Sequence, residues 1–250
     1  MLLMQLVEKN LCYLFAVLTL LRVSLAVPID NGLVLKRRLV PGQQTGEEIC
    51  EPGKLDVIFV IDGSTSIGDS NFELLRQFLV NLVSDFTDDV KVAAVQFSGV
   101  ARTEFSFKTF DRIDDVKNFF ATMPYLRGTT RIGHALKQVI NKELPEKSGN
   151  RLDVSDIVIV ITDGRSSDNP APPAEQLRAM GAQTIAIGIT EFVDDEQILA
   201  IGGDEKSVFK VKEFAKLDNT LRMTIIAQSV CTVVTQMAVL TVQAYADKIQ

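Results

Sequence analysis

The stretch LDVIFVIDGSTSIG, residues 55–68, sets an apolar run against a knot of small polar residues. LDVIFVI is apolar and β-branched on both faces, the pattern of a strand covered on both sides in a parallel sheet. From Asn71 onward, Leu75, Phe78, Leu79, Leu82, Val83 and Phe86 fall at the i, i+3, i+4, i+7 spacing of an amphipathic helix. DGSTS therefore lies between a buried strand and a helix. Read alone, such a segment is a turn with a helix N-cap, because Ser and Asp oxygens satisfy free helix N–H groups.

Alternation continues along the chain. KVAAVQF (91–97) and RTEFSF (102–107) read as strands joined by a link too short for a parallel crossover, which predicts an antiparallel hairpin. DRIDDVKNFF and RIGHALKQVINKEL read as helices, VSDIVIVIT (154–162) as a central strand and PPAEQLRAMGA as a helix. QTIAIGI is a strand, DDEQILAI a short helix and SVFKV a last strand. EFAKLDNTLRMTIIAQ, with Phe214, Leu217, Leu221 and Ile225 at helical spacing, predicts one closing helix. The fold class that follows is α/β: a doubly wound, mostly parallel six-stranded sheet with one antiparallel edge strand and helices on both faces.

The ends of the chain bear on location. An apolar run, LCYLFAVLTLL, precedes small Ser24 and Ala26 at signal-peptidase spacing and is short for a membrane span, so residues 1–26 read as a secretory signal. Its removal leaves 24 Lys+Arg against 31 Asp+Glu, from 26 and 32 in the whole chain. With that acidic balance and no long basic stretch, nucleic acid is not expected as a partner. Residues 27–53 lack an apolar period and read as a linker or propeptide, within which Lys36-Arg37-Arg38 is a solvated charge run or a processing site. Residues 54–230 form the expected single domain, for which 46% hydrophobic residues supply a sizeable core. The tail 231–250 is apolar but carries Thr and Gln, and reads as a strand or helix packing on a partner, or as the start of a further region, rather than as a membrane anchor.

Cys12 falls in the signal, leaving Cys50 and Cys231 on either side of the regular region. In an oxidising compartment one bridge between them would tie the domain ends together, with a chain-entropy contribution of roughly 5 kcal/mol. A free thiol or an intermolecular bridge is the alternative. No N-x-S/T sequon is present.

In doubly wound sheets ligands sit at the carboxyl ends of the strands. The first strand ends in Asp62-x-Ser64-x-Ser66, the central one in Thr162-Asp163-Gly164, and Leu126-Arg127-Gly128-Thr129-Thr130 leads into a helix at the same edge. Two aspartates, two serines and a threonine make an all-oxygen set suited to Mg²⁺, Mn²⁺ or Ca²⁺ and poorly suited to zinc or copper. If the hydroxyls bind directly and the carboxylates partly through water, the cation keeps positive charge and open positions for an incoming carboxylate.

These motifs, in this order, resemble the von Willebrand factor type A domain with a metal-ion-dependent adhesion site. DVIFVIDGSTSIG is similar to the family's opening strand and DxSxS motif, GTTRIGHAL to its threonine loop, IVIVITDGRSSD to its second aspartate strand, and TIAIGI with VFKVKEFAKLDNTL to its closing elements. Flanking cysteines resemble the matrilin and collagen VI members. The resemblance implies metal coordination by Ser64, Ser66 and Thr130, with Asp62 and Asp163 often acting through water. It implies a secreted matrix or adhesion module whose protein ligand, collagen among the candidates, supplies an Asp or Glu. It also implies a coupling between the last helix and affinity, which a bridge at Cys231 would restrain. Thr129 stands where the family carries a second glycine, a departure that stiffens the loop or offers a rival hydroxyl. Thr190 likewise stands where many members have glycine.

Enzymatic readings find little support. The chain has no GxxxxGK[ST] and no HExxH, and its one histidine, His134, falls on a predicted helix. Metal-assisted hydrolysis is the residual enzymatic alternative, and a matrix-assembly role with an unused cation site is the structural one.

Overall fold

The computed structural model describes residues 54–227. The expected signal, the linker with Lys36-Arg37-Arg38, Cys50, Cys231 and the tail lie outside the described residues. Six strands form one sheet: β1 (Leu55–Asp62), β2 (Val90–Phe97), β3 (Ala101–Phe105), β4 (Ser155–Thr162), β5 (Gln183–Ile189) and β6 (Val208–Val211). Their order is β3-β2-β1-β4-β5-β6, parallel throughout except for the β2–β3 hairpin. This is the doubly wound sheet with one antiparallel edge strand expected from the alternation.

The helices are α1 (Asp69–Val83), α2 (Ile113–Thr122), α3 (Ile132–Gln138), α4 (Ala171–Ala179), α5 (Asp195–Gly202) and α6 (Asn219–Ile225). β1 shows why its apolar run is nearly continuous. Leu55, Val57, Phe59 and Ile61 face a cluster with Phe72, Leu75 and Leu79 of α1, Val116 and Phe120 of α2, and Ile225 of α6. Ile58 and Val60 face the opposite cluster, with Ile132 and Leu136 of α3, Leu177 of α4 and Ile198 of α5. Alternate side chains thus enter two cores, and neither face of the strand is open to solvent. Phe59, fully buried, meets Phe120 edge-on with ring centroids 5.5 Å apart. Truncating it to Ala removes about 3–5 kcal/mol, the usual cost of emptying a large aromatic site.

Two elements depart from the predicted pattern. RIGHALKQVINKEL is α-helical only to Gln138 and continues as a π-helical turn, Val139–Glu143. The closing helix is broken: a short 3₁₀ turn at Phe214–Lys216 is followed by α6, whose start is fixed by Asp218. The Asp218 carboxylate accepts hydrogen bonds from the Thr220 and Leu221 amides at 2.9 and 3.1 Å. A helical period in apolar residues does not register a polar cap inside it, and the cap wins because Asp competes with the backbone for those amides.

Strand order places the switch point between β1 and β4. The chain leaves β1 toward β2 on one side and leaves β4 toward β5 on the other, so a crevice opens where their carboxyl ends diverge. Asp62 ends β1 and Asp163 follows the last residue of β4.

Candidate metal centre

Four of the five residues expected to hold a cation are linked directly. The Ser64 amide donates to Asp62 Oδ1 at 2.8 Å, folding DGS into a tight Asx-type turn. The Ser64 and Ser66 hydroxyls lie 2.9 Å apart, and Ser66 Oγ donates to Asp163 Oδ1 at 2.9 Å. Ser64 is buried and Ser66 exposed, so the chain of oxygens runs from the crevice floor to its mouth. Gly63 is required here: a Cβ at that position would overlap Gln96 Oε1. Gln96, fully buried, uses that oxygen to accept from the Leu126 amide at 2.8 Å and its amide to donate to Pro124 O at 2.7 Å. It thereby fastens the third loop to β2.

That third loop brings Thr130 to the same edge through backbone contacts. The Thr65 amide donates to Gly128 O at 2.8 Å, and the Gly128 amide donates back to Thr65 Oγ1 at 2.9 Å. Gly128 turns the loop at φ +130°, a conformation L side chains rarely adopt. Among the described residues the Thr130 hydroxyl makes no hydrogen bond to the other four. The Thr129 side chain lies against Gly99 of the β2–β3 turn, where a Cβ would meet Thr129 Oγ1 at 3.2 Å. Tyr125, stacked on Phe72 at 4.4 Å between centroids, donates to Ser64 O at 2.5 Å and accepts from the Gly68 amide at 3.0 Å.

The electrostatics leave the carboxylates without a protein cation. Asp62 is fully buried, and burial pushes its carboxyl up from 3.8 to about 6. The hydroxyl of Thr162, donating to Asp62 Oδ2 at 2.6 Å, and the Ser64 contacts oppose that rise without cancelling it, while Asp163 adds repulsion. Asp163 is raised as well, by burial first, with the Ser66 hydrogen bond opposing. The neighbouring arginines are engaged elsewhere: Arg127 with Asp69, Arg131 with Asp168 at 4.0 Å, and Arg165 with Asp194 at 3.3 Å. Two buried, repelling carboxylates among hydroxyls, with no ammonium or guanidinium on them, fit a divalent cation by charge and by donor type. Among the described residues no three His, Cys, Asp or Glu side chains gather. A cation here would have to recruit hydroxyl oxygens.

The comparisons with known proteins agree with this architecture. The model of the von Willebrand factor type A domain matches residues 56–222. The chain belongs to the von Willebrand factor type A domain family. This type A domain is 33% identical over 188 residues to the human collagen alpha-6(VI) chain, covering 73% of this chain and 8% of that one. It is 34% identical over 193 residues to the transmembrane cell adhesion receptor mua-3 of Caenorhabditis elegans, covering 74% of this chain and 5% of the receptor. Mouse matrilin-2 is 30% identical over 175 residues, 67% of this chain and 18% of matrilin-2. The chain thus spans a small part of each of these relatives, which are matrix and adhesion proteins. Among solved structures, proximal thread matrix protein 1 from the mussel byssus superposes with a TM-score of 0.68 at 29% identity, over 71% of this chain and 48% of that one. Another structure of that protein, with a TM-score of 0.65 at 27% identity over 72% of this chain and 46% of that one, has its metal-ion-dependent adhesion site occupied by zinc.

Several residues of this type A domain's site carried no signal that the sequence reading used. Thr162 is the first residue of the TDG motif, but its hydroxyl's target, Asp62, lies a hundred residues away in sequence and appears only once β1 and β4 pair. Thr190 has φ +74°, an uncommon and strained conformation for a β-branched residue. Its hydroxyl donates to Asp163 O at 3.1 Å and accepts from the Phe192 amide at 3.2 Å. The departure from glycine noted at this position was a usable clue.

Proposed function

We propose that this type A domain is a secreted extracellular-matrix or adhesion module that captures an acidic side chain of a protein ligand through a divalent cation. The observation that carries this reading is the pair of buried carboxylates, Asp62 and Asp163, joined by the Ser64–Ser66 hydroxyls and left without a protein cation. Ser64, Ser66 and Thr130 would ligate the ion directly, with Asp62 and Asp163 acting directly or through water. Mg²⁺ is the proposed ion, with Mn²⁺ or Ca²⁺ as substitutes. The zinc in the byssal relative shows that its own site accepts zinc, so the choice of ion belongs to the tests. When bound, such an ion supplies a positive centre that an Asp or Glu of the partner can complete.

Matrix and adhesion relatives support an extracellular protein partner, collagen among them, and a non-enzymatic role. The leader at residues 1–26 and the Cys50–Cys231 bridge are part of the same proposal. No helix among the described residues is long and apolar enough to cross a membrane. The test is a pull-down from extracellular-matrix extract with Mg²⁺ or EDTA, comparing wild type with Asp62→Ala. Captured protein is expected only with Mg²⁺ and only with wild type. Capture indifferent to both changes would replace the cation-mediated mechanism with a matrix-assembly role, and turnover lost in the same variant would reveal a hydrolase.

A further inference from the structure

The loop after Asp163 does more than return the chain to α4. Helix α3, which begins two residues after Thr130, has no cap of its own, because Arg131 at its start offers no accepting side chain to the first turn. The missing acceptors come from across the crevice. Ser166 Oγ accepts from the Ile132 amide at 2.9 Å, and the two oxygens of Asp168 accept from the Gly133 and His134 amides, each at 2.8 Å. Ser166 Oγ in turn donates to Asp168 Oδ1 at 2.7 Å, so the two acceptors are fixed to each other. Thr130 itself is held by its carbonyl, which accepts from both the amide and the hydroxyl of Ser167 at 2.9 and 2.8 Å. Ser166 is anchored from behind by Gln197, whose Oε1 accepts from the Ser166 amide at 2.8 Å.

The two loops approach so closely that Gly133 is obligatory. A Cβ there would lie 2.5 Å from Asn169 O. Asp168 has no hydrogen bond to Asp62, Ser64, Ser66 or Asp163, so its action on the centre runs through the start of α3 and through the Ser166–Ser167 segment that holds Thr130.

We propose that Asp168, with Ser166 and Ser167, is a positioning device that sets Thr130 against Asp163 before any cation arrives. A ligand oxygen already held in place does not have to be ordered during binding, so the affinity is higher than the same residues would give on free loops. Partners one shell out from a metal commonly change its affinity ~10- to 100-fold when removed. This inference rests on the cation-binding reading above.

The test is Mg²⁺ affinity by titration calorimetry on the full chain for wild type, Asp168→Ala, Ser167→Ala and Asp88→Ala. Asp88→Ala removes the acceptor of the Ile113 amide, 2.9 Å away at the start of α2, a loop-supplied cap of the same chemistry near the amino end of β2, and serves as the control for stability alone. Expected are ~10-fold weaker binding for Asp168→Ala, a smaller loss for Ser167→Ala and no change for Asp88→Ala. In cation-free protein, hydrogen exchange at Ile132–His134 is expected to accelerate in Asp168→Ala while that of Ser64 does not. Unchanged affinity in Asp168→Ala, or an equal loss in Asp88→Ala, would overturn the positioning role and leave the cation site standing. If Asp168→Ala does not fold, Ser167→Ala decides between the same outcomes. No Mg²⁺ binding by wild type would overturn the cation site and this inference together.

Discussion

Each end of the central strands buries carboxylates, and the two ends treat them in opposite ways. At the amino end, Asp56 of β1 is fully buried and is neutralised by the chain itself. The Arg151 amide and Nε donate to its two oxygens at 2.7 and 2.8 Å, and the same guanidinium reaches Leu55 O and Asp89 O at 2.7 and 2.9 Å. At the carboxyl end, Asp62 of the same strand receives only hydroxyl and amide donors. A buried carboxylate with its own arginine is a structural joint. Asp62, set beside a second buried carboxylate and two serine hydroxyls, has no internal cation, and the difference between Asp56 and Asp62 lies in whether the chain supplies the positive charge.

Four perturbations follow from that contrast and its surroundings, the largest first. Arg151→Ala leaves Asp56 buried and unpaired and is expected to cost about 3–5 kcal/mol in denaturant unfolding, with or without Mg²⁺. A small loss would mean that the amino end is not held by this pair. Asp62→Asn does the reverse. Removing a carboxylate that burial disfavours is expected to raise cation-free stability by about 1–2 kcal/mol, since a carboxyl pushed from 3.8 to about 6 corresponds to about 3 kcal/mol before the amide's own packing cost. The same variant is expected to lose stabilisation by Mg²⁺. Destabilisation comparable to that of Arg151→Ala would erase the distinction between the two ends.

The pH response separates them further. Because Asp62 is raised in the folded state, the folded protein binds more protons than the unfolded chain between 3.8 and about 6. Cation-free stability is therefore expected to fall as pH rises through that window and to level off above it. Asp156, beside Asp56 across the β1–β4 pairing, is also raised to about 6, by burial first and by the nearby Asp56 to a lesser degree. Saturating Mg²⁺ is expected to abolish the Asp62 share of the fall and leave the Asp156 share. Thermal melts against pH with Mg²⁺ or EDTA check this, and identical slopes would contradict it. The smallest effect is expected from Thr190→Gly, which relieves a strained φ worth about 1 kcal/mol and gives up a hydrogen bond worth about as much. Its melting point should stay close to that of wild type.

Periodicity made most of the fold legible. The apolar pattern of β1 and the short link after Phe97 were enough to predict a mostly parallel sheet with an antiparallel edge, because burial on both faces leaves that signature in composition, whereas the order of the strands came only from their pairing. It failed at Asp218, where a single polar cap overrides a helical spacing that the apolar residues share. The site divided along similar lines. DxSxS, the threonine loop and TDG are local in sequence, so they could be read. Their long-range contacts could not: Gln96, the Thr162 hydroxyl within TDG and Asp168 act on residues far away in the chain, and hydrogen bonds between loops leave no period. Asp168 lay in plain view in GRSSD, but only the pairing of that loop with α3 shows which amides it satisfies.

The central claim is that the carboxyl-end aspartates lack a cation that the solvent must supply. Titration calorimetry of Mg²⁺ into chelator-treated protein tests it most directly, with Asp62→Asn in parallel. One site per chain is expected in the wild type and none in the variant. No binding by the wild type, or binding of equal strength by Asp62→Asn, would contradict the claim.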